Sequence, residues 1–193
     1  MQDPTDPLSA TGRHLLKLDR NAYAALVPAH PGSIEAKDLL ESVQPAQLLA
    51  SGVVKRAEEA DAMLAGLWLW HDWLEESHAI AQGLHGASGS FWHAIMHRRE
   101  GDFSNAKYWY ARCADHPVLP SLNAQASAIL NPLPADKSLL RLTANGWNGA
   151  AFVDFVAQLH DQPNDPRHPT AVLLQRLEWR ILFDHCARVA GGG

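Results

Sequence analysis

From Val54 to Leu84 the chain repeats apolar residues on a helical period. Leu67, Trp70, Leu74, Ala81 and Leu84 are separated by three, four or seven residues, which places them on one stripe of a single amphipathic helix. The segment GLHGASGS then breaks the pattern with Gly83, Gly86 and Gly89, a turn composition. Ser90 can cap a second helix to Glu100, Gly101-Asp102 reads as a tight turn, and Ser104 can cap a third helix to Asp115 that closes ahead of Pro117. Upstream, Ser33 can cap a helix that ends at Ser42 before Pro45, with a short element over Gln47 to Ala50. Downstream, Leu119 to Leu130 reads as helical, Asn131 to Ala135 as a linker, and residues 136–147 stay open between helix and loop. Ala150 to His160 is a further helix, followed by the loop DQPNDPRHP and a last helix from Thr170 to about Val189.

No segment alternates apolar and polar residues with period two, so sheet is not expected. The pattern predicts an all-α, single-domain antiparallel helical bundle or array of about six to eight helices over residues 31–190. Residues 1–30, rich in Pro, Asp and Ala, read as an extended or partly ordered lead-in.

Polar residues follow the same period. His71, Glu75, His78, Gln82 and His85 form a stripe beside the apolar one, offset by about 100°. His93, His97 and Glu100 form a second stripe on the next helix, whose apolar side is Phe91, Trp92, Ile95 and Met96. Two histidines four apart can hold one metal from one helix face, and Glu75 with His78 has the carboxylate–histidine spacing of metal-binding bundles. With the two helices packed side by side, His71, Glu75, His78, His93 and His97 become candidate ligands of a divalent metal such as zinc. In a catalytic version His93 or His97 acts as base or ligand, Arg98 or Arg99 holds a small anionic substrate, and Trp92, Glu100 and Lys107 line the pocket. The plainer alternative is that the arginines pair with Glu75, Glu76 or Asp102 and the polar stripes form a buried network that fixes helix register. HAIMH lacks the glutamate of HExxH, and neither GxSxG nor GxxxxGK[ST] occurs, so zincin, acyl-transfer and nucleotide-loop chemistries have no motif.

Composition narrows the class. With 16 Lys+Arg against 21 Asp+Glu and no basic run, nucleic acid is not an expected partner. The longest apolar stretch, Met63 to Trp70, is too short to span a membrane, and the polar N-terminus has no apolar signal core, so a cytoplasmic protein is expected. Two cysteines without a CxxC, Cys113 and Cys186, read as buried thiols. Trp68, Trp70 and Trp73 lie so close together that an exposed aromatic surface, for a protein partner or a homodimer, is the second functional expectation.

Two resemblances bear on this. Ala94, Gly101, Phe103, Ala106, Tyr110 and Pro117 resemble one tetratricopeptide-type helix pair, without a second copy. The string FWHAIMHRREGDFSNAKYWYARCADHP, with WLEESHAIAQGL before it and LEWRILFDHCAR after, resembles an uncharacterised, mainly bacterial helical family of unknown function over about Leu67 to Arg188. That resemblance implies a helical fold and carries no activity.

Overall fold

In a computed structural model, which describes residues 6–193, the chain forms eleven helical segments. They are α1 (Ala10–Lys17), α2 (Ile34–Ser42), α3 (Pro45–Leu48), α4 (Ala57–Trp70), α5 (Leu74–Ala81), α6 (Ala87–Glu100), α7 (Phe103–Ala111), α8 (Leu119–Leu130), α9 (Lys137–Thr143), α10 (Gly149–Leu159) and α11 (His168–Gly191). No strand occurs among the described residues, where extended pairing is confined to two isolated bridges. None of these helices is long and apolar enough to cross a membrane.

The array is built around α6, which packs against α4, α5, α7 and α11. A helix surrounded on all sides must bury every face. Here the buried residues run from Ser88 to Arg99 without a gap, polar and apolar alike. Gly101 ends the helix in the left-handed region at φ 87°, where glycine carries no Cβ penalty. α7 then folds back along α6, giving the helix pair expected from the sequence. Its N-cap is Asp102, whose carboxylate accepts from the Asn105 N–H; Ser104 only donates its hydroxyl to that carboxylate. α6 likewise starts a turn before Ser90, at Gly86, because Glu58 accepts from the backbone N–H groups of His85 and Gly86. α11 begins at His168, with Pro169 in its first turn, ahead of Thr170.

The single helix expected over 54–84 is two. α4 ends at His71, and Asp72 adopts φ 61° before α5 begins. No glycine or proline marks this break. It is held from α6 by Arg99, which pairs with the Asp72 carboxylate at 2.7 Å and donates to the Leu69 carbonyl at 2.9 Å. A guanidinium at a helix C-terminus meets both the freed carbonyls and the negative end of the dipole.

The lead-in is more ordered than its composition suggests; its first five residues lie outside the described ones. Leu15, Tyr23 and Leu26 are buried, Tyr23 stacks on Trp70 at 5.5 Å, and the Arg99 guanidinium lies 3.9 Å over the Tyr23 ring. Residues 136–147 resolve into α9 followed by a turn with the Ala144–Gly146 bridge.

Gly66 of α4 has no side chain where the Trp92 ring of α6 packs against it. Trp179 of α11 donates its indole N–H to the Gly66 carbonyl at 2.8 Å, and a Cβ at Gly66 would stand 2.6 Å from the Trp92 ring. In a free helix Gly→Ala is stabilising by about 0.5–1 kcal/mol. Here the sign reverses: Gly66→Ala is expected to lower stability by about 1–3 kcal/mol through overpacking. Urea midpoints at unchanged slope measure it.

Candidate metal centre

Three histidines converge where α5 meets α6. His78 is half-buried near the end of α5, and His93 and His97 are buried on α6. One ring nitrogen from each lies within 4.8 Å of the others. The His78 ring meets those of His93 and His97 edge-on at 4.8 and 5.3 Å, and His93 and His97 stack at 5.2 Å. The spacing of four along α6 places its two rings one above the other. The Trp109 indole from α7 lies flat on His93 at 4.0 Å and 1° and closes that side.

Hydrogen bonding sets the proton on His97. Its Nδ1 is 2.5 Å from a Glu100 carboxylate oxygen, which can only accept, so Nδ1 carries the proton. Nε2 is then a lone pair, 3.0 Å from the Asn105 amide nitrogen. A carboxylate behind a histidine is the usual support for a metal-binding imidazole. The Nδ1 of His93 is buried with no hydrogen-bond partner. Burial, then the neighbouring His78 and His97, lower the His93 pKa to about 4, so the ring is neutral at physiological pH. A neutral imidazole is the form in which a histidine ligates a transition metal.

The structure divides the sequence-derived set. His78, His93 and His97 come together, with Glu100 behind them. His71 does not join them, because the turn at Asp72 carries it away from the α5 stripe. It is buried, and its Nε2–H donates to the Leu15 carbonyl at 3.0 Å. Glu75 is exposed and lies in no three-ligand group among the described residues.

Arg98 and Arg99, expected to hold a substrate, are wholly buried and engaged. Arg98 pairs with Glu178 of α11 at 2.7 Å, contacts the Tyr110 hydroxyl and packs over Phe152 at 4.5 Å. Arg99 fastens the α4–α5 turn and donates to the Ala25 carbonyl at 3.1 Å. Both therefore pin helices, as in the plainer sequence reading, but with Glu178 and Asp72 as partners. Trp92 is a core side chain with no exposure, and Lys107 pairs with Asp154 on the surface. Neither lines the histidine cluster.

Asn105, Trp109, Tyr110 and Glu178 were not singled out as site or network residues from the sequence. Only Glu178 left a signal there: a carboxylate inside the apolar run LEWRILF must find a cation when α11 is buried. Of the three tryptophans expected at a surface, Trp70 and Trp73 are half-buried. Trp68 is buried, Trp70 packs on Tyr23 and Trp179, and Trp73 lies under the Lys37 ammonium at 4.3 Å.

A second histidine cluster has the look of a nucleophile and is not one. Ser88 lies 3.0 Å from His116 Nε2 and donates its hydroxyl proton to Glu59 at 3.0 Å. His116 Nδ1 accepts from the Val118 N–H, so Nε2 carries the ring proton and donates to Ser88. The imidazole cannot take the serine proton in that tautomer. Burial, then His185, lower the His116 pKa to about 4. Cys113 and Cys186 are buried thiols, with burial raising the pKa of Cys113 to about 12.

The protein is thus an all-α array with a buried histidine cluster off its central helix. The chain matches no protein-family model, no curated protein and no solved structure.

Proposed function

We propose that the protein binds one divalent transition metal, zinc foremost, through His78, His93 and His97. The observation that carries this is the convergence of three ring nitrogens within 4.8 Å at a largely buried position. Around tetrahedral zinc, with Zn–N near 2.0–2.1 Å, such nitrogens stand roughly 3.3 Å apart. Small ring rotations therefore close the set. The orphaned Nδ1 of His93 and the Glu100 carboxylate behind His97 both support the reading. Metal at His97 Nε2 would replace the Asn105 contact. Three histidines leave a fourth position for water or an anionic donor, the arrangement of reactive rather than purely structural zinc sites.

Elemental analysis of the untagged protein should return near-stoichiometric metal, and a chelator should lower the melting temperature. Cobalt substitution should give the visible bands of a tetrahedral nitrogen site. His93→Ala and His97→Ala should abolish both the metal and the bands, while the metal-free variants keep the far-UV circular dichroism of the parent. Protein free of metal whose melt does not respond to zinc, cobalt or nickel would overturn the proposal.

A further inference from the structure

On another face of α7, away from the histidines, a cavity of about 480 Å³ opens between α7, α9 and the start of α10. That volume is in the range of small-molecule sites. Its lining is one-sided in charge. Lys107 and Arg141 contribute cations, and no carboxylate lines it. Asp154 touches the cavity only indirectly, through its ion pair with Lys107. Arg141 is exposed on α9 and enters no ion pair among the described residues, so all its guanidinium donors are open to a ligand.

The rest of the wall continues the pattern. α10 begins at Gly149 in the cavity wall, with Asn148 as N-cap. The Asn148 side-chain oxygen accepts from the Ala151 N–H at 2.9 Å, which leaves its amide N–H groups as donors. The first-turn N–H groups of Gly149 and Ala150 are those that a helix cannot satisfy internally. Asn145 adds a second amide. Trp147, nine-tenths buried, adds an indole face, and its Nε1 meets no acceptor among the described residues. A wall of one unpaired guanidinium, an ion-paired lysine, donor amides and a helix N-terminus favours a compact anion such as phosphate. Paired amides beside an aromatic face suit a hydroxylated ring.

We infer that this cavity binds a small phosphate monoester with a polyhydroxylated body, a sugar phosphate in chemical class. It shares no residue with the metal centre, so either assignment can fail alone. The phosphate sits with Arg141, Lys107 and the α10 N-terminus, and the body lies against Trp147, Asn145 and Asn148.

Calorimetric titration of the full chain with ribose 5-phosphate tests this. Saturable binding is expected, with ribose at least roughly tenfold weaker. Arg141→Gln should weaken ribose 5-phosphate by roughly tenfold or more. Lys137→Gln removes the same charge from the same helix outside the cavity lining, and should leave binding unchanged. Absence of saturable binding would overturn the inference, as would an equal loss in the two charge variants. Equal affinity for inorganic phosphate would overturn the polyhydroxylated body.

Discussion

Glu178→Gln is expected to destabilise the protein by about 3–5 kcal/mol, because it leaves the Arg98 guanidinium charged and uncompensated in the core. Both side chains are wholly without exposure, and the carboxylate is held by the ion pair and by the Tyr110 hydroxyl at 2.5 Å. Two charges inside a helical core are costly to desolvate, and their mutual attraction offsets that cost only while both are present. The double variant Arg98→Met/Glu178→Leu should therefore recover most of what either single change loses. Urea unfolding of the parent, Arg98→Met, Glu178→Leu and the double variant forms a complete cycle. Single variants within about 1 kcal/mol of the parent would show that the pair does not hold the core.

The second large effect is acid sensitivity. The metal-free protein is expected to lose up to about 3 kcal/mol for each of His93 and His116 as pH falls from about 6.5 to about 4. Both rings are buried, and both have pKa values lowered to about 4 by burial first and by neighbouring histidines second. In the unfolded chain each titrates near 6.5. Between those values the unfolded state binds more protons than the folded state, so stability rises with pH across the window and is complete above it. Below the folded pKa the loss is finished and the curve flattens. Urea midpoints across that range measure the slope, and His116→Gln should remove about half of it. A flat profile would show that the rings are reached by solvent in the folded state. Metal ligation requires unprotonated imidazole, so zinc protection of the melt should disappear over the same interval.

How much of this was legible in the sequence follows from what the sequence can encode locally. The all-α class was, because apolar period and proline positions act over one turn. So was the pairing of His93 with His97, since spacing of four fixes a common face. Glu75 and His78 follow the same local rule within α5, though Glu75 is exposed, and only His71 depends on one helix running through Asp72. The break at Asp72 is set by Arg99, which is remote in sequence and meets no local propensity rule. The twelve-residue buried face of α6 was also hidden. An evenly polar and apolar helix reads as half-exposed until its neighbours are known. Arg98 and Arg99 looked available for a ligand because the carbonyls and carboxylates that occupy them come from α4, α11 and the lead-in.

The lead-in contacts also bear on the order in which the chain can fold. Gln175 and Arg176 of α11 donate to the carbonyls of Ala25, Tyr23 and Ala22, across separations of 150 to 154 residues. Their partners do not exist when residues 22–25 leave the ribosome. Tyr23 can meet Trp70 and Arg99 once these are made, but its contact with Trp179 of α11 waits while more than a hundred residues are added. Non-local closures of this kind are slow relative to helix formation. The helices around α6 can assemble first, and the early segment is then captured late, by a helix synthesised near the other end of the sequence.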